Sequence, residues 1–266
     1  MNNEFPDSIM KIIVDKKYNK NNIGKTDSQV YIFDDMVLKV QKQINEARNE
    51  YHIAQKVSND VPVPKIIEYA EENDFSYTLM SRIKGKMLCD DEILRNPKLL
   101  IKLLSEGLKL LWSVDISDCK IDDVSNINQR LKVARYNVEN NLIDVNNVMP
   151  DTFGPNGFET PKALLDWLEN NIPDVEPVFS HGDYCMENIF TINNRISGFI
   201  DLGKSGIADR WQDLAICIRE LDGVFSNEYV KDFDYSKYSS DLLLNELGIK
   251  RDNDKLKYYM LLDELF

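Results

Sequence analysis

Hydrophobic and polar residues alternate in short segments through the first part of the chain. Apolar runs at 30–33 and 36–40 flank Asp34 and Asp35, and this arrangement predicts two strands joined by a tight hairpin turn. Between residues 44 and 57 the apolar positions recur at three- and four-residue steps, which predicts an amphipathic helix. A further run at 76–80 predicts another strand. The front of the chain is therefore predicted to be rich in β-structure and to contain a helix.

From about residue 87 onward the pattern is mainly helical. Helices are predicted at 97–114, 126–141, 161–171, 208–222, 240–247 and 253–265. Short strands interrupt this pattern at 178–180, 189–192 and 196–200, with a turn at Asn193 and Asn194. A small β-rich front and a larger helical back predict an α+β fold with two lobes, at residues 1–82 and 83–266.

Composition and charge narrow the class of protein. The 266 residues are 43% hydrophobic, enough for a full core, and no stretch resembles a signal peptide or a membrane span. Four cysteines without CxxC spacing predict free thiols in the cytoplasm. A net charge of −13 argues against binding to nucleic acid. Residues 139–176 carry eight acidic side chains and one lysine, so this segment would attract a cationic substrate.

The most informative motif is HGDYCMEN at 181–188, followed by a second carboxylate at Asp201. Four residues separate Asp183 from Asn188, which is the catalytic-loop spacing of protein kinases. Phosphoryl transfer needs an Asp to orient the acceptor hydroxyl, and an Asn and an Asp to hold magnesium ions. An Asx-rich turn between strands is the alternative interpretation, and the paired spacing makes it the weaker one.

The front of the chain contains residues that complete such a site. Lys39 ends an apolar strand, where kinases place the lysine that contacts phosphate. Glu50 lies near the apolar face of the predicted helix, and a carboxylate there needs a partner, so we predict a Lys39–Glu50 ion pair with Glu46 as the alternative. Neither a GxGxxG loop nor a Walker A motif is present. The segment 23–30 is therefore either a phosphate-binding loop or a polar hairpin loop.

Several segments together resemble the aminoglycoside 3′-phosphotransferases, the kanamycin kinases. The resemblance covers nearly the whole chain, and its most specific parts are ISGFIDLG at 196–203, GIADRWQDLA at 206–215 and LLDELF at 261–266. It implies a bilobal, protein-kinase-like fold and transfer of the γ-phosphoryl group of ATP to the 3′-hydroxyl of aminoglycosides, with Mg²⁺ as the metal. The expected partner is a cationic drug, and the expected assembly is a monomer or a weak dimer.

The resemblance also implies roles for individual residues. Asp183 would be the catalytic base, Asn188 and Asp201 would ligate Mg²⁺, and Lys204 would stand where the family usually has a catalytic arginine. The implied nucleotide-binding residues are Lys39, Glu50, Thr26, Met80, Ser81 and Ile83. The implied aminoglycoside-binding residues are Asp151, Glu159, Asp263, Glu264 and Phe266. We expect His181 to orient the loop, and Asp209 and Asp213 to cap and pin the helix start.

Two other functions fit parts of the same sequence. A related small-molecule kinase would use this transfer site for a different amine- or hydroxyl-bearing acceptor. A nucleotide-binding scaffold would bind without turnover, although every charged element of the transfer site is present in this chain.

Overall fold

A five-stranded antiparallel sheet forms the front of the molecule in the computed structural model, which describes residues 5–21, 28–117 and 125–266. The strands are β1 (Asn19–Asn21), β2 (Gln29–Ile32), β3 (Met36–Lys42), β4 (Ile66–Glu72) and β5 (Phe75–Ser81). Their order across the sheet is β1-β2-β3-β5-β4. The predicted hairpin at Asp34 and Asp35 joins β2 to β3. Lys39 lies in the central strand β3, opposite Val30 on one side and Thr78 on the other.

Two helices pack with this sheet, α1 (Asp7–Ile13) and α2 (Asn45–Val57). The sequence pattern predicted α2 but missed α1, which has only seven residues. Ile9 of α1 is fully buried in a core that it shares with Leu38 of β3. The apolar face of α2 instead joins the larger core behind it. α2 therefore connects the front sheet to the rest of the molecule.

The remaining elements are mainly helical. The helices are α3 (Asp91–Leu94), α4 (Pro97–Trp112), α5 (Ile127–Glu139), α6 (Pro161–Asn170), α7 (Arg210–Phe225), α8 (Asp241–Leu247) and α9 (Asn253–Asp263). The strands are β6 (Lys86–Met87), β7 (Pro177–Ser180), β8 (Ile189–Ile192), β9 (Arg195–Phe199) and β10 (Gly206–Asp209). β6, β8 and β9 form one antiparallel sheet, and β7 pairs with β10. The predicted α+β fold is confirmed, and the lobe boundary at residue 82 stays a prediction.

Local sequence signals explain where several of these helices and turns begin or end. The Thr160 hydroxyl accepts the Ala163 N–H at 3.1 Å and Pro161 begins α6, as an N-cap followed by proline predicts. Gly248 ends α8 with a φ of 70°. Asn193 and Asn194 both have positive φ in the turn between β8 and β9. Several predicted helix ends differ from the observed ones by a few residues, and residues 208 and 209 belong to β10 rather than to a helix.

The larger core surrounds α4 and α7. Leu100, Leu104 and Leu108 of α4 are fully buried, and Leu214 and Ile218 of α7 are fully buried as well. No helix within the described part of the chain is long and apolar enough to cross a membrane. The two buried helices support the strands that carry the HGDYCMEN segment.

Candidate active site

The HGDYCMEN segment forms a loop between β7 and β8, which we call the catalytic loop (residues 181–188). Asp183 is half-buried in its first part, and a 3-10 turn over Met186–Asn188 ends it. The Asn188 side-chain amide donates from Nδ2 to the main-chain carbonyl of Asp183 at 3.1 Å. This bond orients the Asn188 side chain, and it uses the main-chain oxygen of Asp183 rather than its carboxylate.

A buried carboxylate on α7 holds the start of this loop. Asp213 is fully buried and accepts the backbone N–H groups of His181 and Gly182, each at 2.9 Å. Burial raises the pKa of Asp213, and the neighbouring His181 and these N–H groups act in the opposite direction. Asp209 caps α7 as predicted, by accepting the Trp211 N–H at 3.2 Å. Asp213 lies in the first turn of α7, so these bonds pin the helix start to the catalytic loop.

His181 and Gly182 join the catalytic loop to the segment that follows β9. His181 is fully buried, and its Nε2 lies 3.0 Å from the Ile200 carbonyl oxygen, which fits the predicted orienting role. Gly182 has a φ of +81°, and a Cβ added there would lie 2.0 Å from the carbonyl oxygen of Lys204. Only glycine permits this close approach of two backbones.

Asp201 lies two residues after the end of β9 and adopts the left-handed conformation, with φ 58° and ψ 53°. Its Oδ1 lies 2.5 Å from Lys39 Nζ, which also contacts Glu50 Oε2 at 2.9 Å. The predicted Lys39–Glu50 ion pair is therefore present. Burial disfavours the charged form of Lys39, but the two carboxylates outweigh it and raise the pKa of Lys39. Burial likewise opposes ionisation of Asp201, and Lys39 more than compensates by lowering the pKa of Asp201.

Asn49 ties α2 to the segment that carries Asp201. Its Nδ2 donates to the carbonyl oxygens of Gly203 at 2.9 Å and Ser205 at 2.8 Å, and the side chain is buried. Ser205 in turn donates from Oγ to the His181 carbonyl at 2.8 Å. A chain of hydrogen bonds thus runs from the helix that carries Glu50 to the catalytic loop. Sequence reasoning missed Asn49, although a buried-face amide beside Glu50 was a readable signal.

The three residues predicted to contact adenine lie at and after the end of β5. Met80 is buried, and Ser81 accepts the Lys65 N–H through its Oγ at 2.9 Å while donating its own N–H to the Lys65 carbonyl at 2.9 Å. Ile83 packs so closely on Gly198 that a Cβ there would lie 2.7 Å from it. This linker is therefore fixed on both sides by packing and hydrogen bonds. Thr26 lies outside the described residues.

The C-terminal carboxylates lie against α7 and α5. Asp263 contacts Arg219 at 2.8 Å and Arg130 at 3.4 Å, and these guanidinium groups outweigh burial and lower the pKa of Asp263. The Glu264 side chain is only 6% exposed, accepts the Met149 N–H at 2.9 Å and pairs with Arg219. Burial raises the pKa of Glu264. These carboxylates are therefore already engaged by protein cations and backbone.

The other residues predicted to bind substrate differ in exposure. Phe266 is 44% exposed, and the Arg130 guanidinium lies over its ring at 4.4 Å. Asp151 and Glu159 are exposed on the segment before α6. Lys204 is half-buried, and its charge lowers the pKa of both Asp201 and Asp263. Lys204 therefore acts electrostatically both on Asp201 and on the C-terminal carboxylate Asp263.

The oxygen donors at this site suit a hard divalent cation. Asn188 and Asp201 are brought together through the hydrogen bond from the Ile200 N–H to the Asn188 carbonyl at 3.0 Å. The described part of the chain contains no cluster of three or more His, Cys, Asp and Glu side chains that could hold a metal. Mg²⁺ characteristically binds through one or two carboxylates together with substrate phosphates, so the donor set fits Mg²⁺ shared with a nucleotide.

Known proteins are similar to this chain in sequence and in fold. The model of the phosphotransferase enzyme family matches residues 21–238. An aminoglycoside 3′-phosphotransferase of Enterococcus faecalis is 39% identical over 211 residues, covering 77% of this chain and 74% of the relative. Another from Niallia circulans is 30% identical over 271 residues, covering 98% and 97%.

Solved structures agree on the fold. An aminoglycoside phosphotransferase of Streptomyces rimosus aligns with a TM-score of 0.79 and 18% identity, over 97% of this chain and 95% of that one. The same protein has been solved in complex with ADP and streptomycin, and that structure aligns with a TM-score of 0.76. The sequence matches extend over most of the chain and the fold is shared throughout. The chain therefore belongs to the phosphotransferase enzyme family and, within it, to the aminoglycoside 3′-phosphotransferases.

Proposed function

We propose that this enzyme transfers the γ-phosphoryl group of ATP to the 3′-hydroxyl of kanamycin- and neomycin-type aminoglycosides and so confers resistance to them. The observation that carries the proposal is the Lys39 ammonium, held by Glu50 at 2.9 Å and by Asp201 at 2.5 Å beside the catalytic loop. Kinase-type transfer needs these charges in one place, because its catalysis is mainly positioning and electrostatic stabilisation.

The nucleotide would lie between the front sheet and the catalytic loop. Lys39 would contact its α- and β-phosphates, with Glu50 holding the ammonium in place. Met80, Ser81 and Ile83 would bind adenine, and the fixed linker supports this role. Thr26 would supply a hydroxyl near the phosphates. Asn188 and Asp201 would hold Mg²⁺, which when bound neutralises charge on the phosphates.

Asp183 would orient the acceptor hydroxyl and take its proton as the phosphoryl group arrives in line. The backbone on both sides of this half-buried residue is fixed, because the Gly182 N–H donates to Asp213 and the Asn188 side-chain amide donates to the Asp183 carbonyl. Lys204 would stabilise charge on the transferring group as a single ammonium, because lysine lacks the two-pronged geometry of arginine.

The acceptor would bind where carboxylates surround the transfer site, since protonated amines are held best by convergent carboxylates. Asp263, Glu264 and the Phe266 carboxylate are the proposed contacts at the C-terminus, and Asp151 and Glu159 those on the acidic segment. Arg219 already engages Asp263 and Glu264, so we propose that these two act chiefly by shaping this wall of the site.

We further propose a cytoplasmic monomer or weak dimer with lobes at 1–82 and 83–266. Three cysteines of the described residues, Cys89, Cys185 and Cys217, are free, as a reducing compartment would leave them.

A coupled ADP-release assay tests the acceptor class. We expect Mg²⁺-ATP turnover with kanamycin and neomycin at least tenfold above that with streptomycin, choline or a macrolide. Activity confined to the last three acceptors would mean a related small-molecule kinase. Tight binding of Mg²⁺-ATP, seen as a thermal shift, without turnover of any acceptor would mean a scaffold.

A further inference from the structure

Glu220 on α7 contacts the catalytic loop from behind. Its Oε2 accepts the backbone N–H of Met186 at 2.6 Å, a short bond of the kind that ionised acceptors form. Met186 lies between Asp183 and Asn188, in the 3-10 turn that ends the loop. The Glu220 side chain is only partly accessible. An acidic side chain thus binds the main chain of the loop.

Glu220 accepts a backbone N–H group near the end of the loop, as Asp213 does at its start. The two carboxylates are seven residues apart on α7, which places them about two turns apart on the same side of the helix. Asp213 holds the N–H groups of His181 and Gly182 at 2.9 Å, and Glu220 holds that of Met186. Two carboxylates of α7 therefore hydrogen-bond to the loop backbone on both sides of Asp183.

We propose that Glu220 is a positioning residue of the phosphoryl-transfer site, which fixes the catalytic loop through the Met186 N–H and thereby sets the spacing of Asp183 and Asn188. The expected effect of Glu220 on kcat rests on the proposed function. The loop geometry does not depend on which acceptor is used.

The surroundings of Glu220 make its hold on the loop sensitive to pH. Burial raises the pKa of Glu220 to about 7, opposed by the Met186 N–H and Arg219 and assisted by Glu187 and Asp183. Its other titratable neighbours are Cys89, Cys185, Cys217 and Tyr229. The charged form is the stronger acceptor, so the loop is held most firmly above this pH.

The raised pKa of Glu220 also lowers the stability of the folded protein at high pH. Because its pKa in the folded protein lies above the usual value of 4.5, Glu220 favours folding below about pH 4.5 and this contribution is lost as pH rises through about 7. A glutamine at this position stays neutral, so it does not lose stability as the pH rises. Glu220→Gln should therefore have a Tm at pH 8 equal to or above that of the parent, while its activity falls.

The kinetic test compares the parent with Glu220→Gln and Glu220→Ala. We expect kcat with kanamycin to fall about tenfold for Gln and about a hundredfold for Ala, as for small misplacements of a catalytic group, with KM for both substrates within about threefold. In the parent, kcat should rise with pH near 7 as Glu220 becomes charged and holds the loop more firmly. This rise should be absent from Glu220→Gln. Glu246→Gln, on the exposed face of α8, is the matched acid-to-amide control and should behave as the parent.

Hydrogen–deuterium exchange of the 184–190 backbone, measured without any acceptor, tests the loop contact independently. Exchange at Met186 should rise at least tenfold in Glu220→Ala and stay unchanged in Glu246→Gln. If the parent fails to phosphorylate kanamycin, the proposed function fails while this result still decides the contact. Unchanged exchange at Met186, or an unchanged kcat with a raised KM for kanamycin, would overturn the inference.

Discussion

Asp183→Asn should lower kcat with kanamycin about a thousandfold, within the range that a positioned general base contributes. The substitution keeps the shape of the side chain and removes its ability to take the acceptor proton. The scaffold around it should survive, because Asn188 and the α7 carboxylates bind main-chain groups of the loop rather than the Asp183 carboxylate. ATP affinity should therefore change by less than about threefold.

Steady-state ADP release and equilibrium titration with Mg²⁺-ATP measure these two quantities separately. Glu187→Gln is the matched control, because Glu187 is an exposed acid in the same loop, and its kcat should change by less than about tenfold. A kcat for Asp183→Asn within tenfold of the parent would remove Asp183 from the chemistry. A large loss of ATP affinity would mean that it acts on the nucleotide instead.

Lys39→Met should affect both catalysis and stability. The Glu50 side chain is only 6% exposed, so removing Lys39 leaves a buried carboxylate without its cation. Breaking a buried pair in this way costs about 3 kcal/mol in the free energy of unfolding. kcat/KM for ATP should fall at least a hundredfold, because the phosphates lose their positioned cation.

The double variant Lys39→Met/Glu50→Gln separates the two effects. Glu50→Gln removes the buried unpaired charge, while Asp201 also loses Lys39 but keeps contact with water through a side chain that is 49% exposed. About half or more of the lost stability should therefore return. Catalysis should not return, since the ammonium is still absent. Urea unfolding and ATP kinetics on the same samples check both. Recovery of kcat/KM in the double variant would show that Lys39 only neutralises Glu50.

The sequence predicted the site best where local pattern and electrostatics agree. The helical periodicity placed Glu50 on the apolar face of α2, and the cost of an unpaired buried charge then pointed to Lys39 across the front sheet. The spacing of Asp183 and Asn188 likewise placed both in one loop. These inferences need only short-range periodicity and one physical rule, and the ion pair they predicted is present.

Long-range contacts were beyond the sequence pattern. Asn49 binds carbonyl groups more than 150 residues away, and Asp213 and Glu220 bind backbone N–H groups about 31 to 34 residues away. No periodicity encodes which backbone group a buried carboxylate will meet. Residues 208 and 209 were assigned to a helix for the same reason, because their pairing with β7 decides their conformation. Tertiary contacts override local propensity at such positions.

The proposed reaction is regiospecific, with transfer to the 3′-hydroxyl of an aminoglycoside. The most direct test incubates the enzyme with Mg²⁺-ATP and either kanamycin or an analogue that lacks only the 3′-hydroxyl, and follows the products by mass spectrometry and ³¹P NMR. We expect one added phosphoryl group on kanamycin, at the 3′-oxygen, and none on the analogue. Phosphorylation of both compounds would contradict transfer to the 3′-hydroxyl.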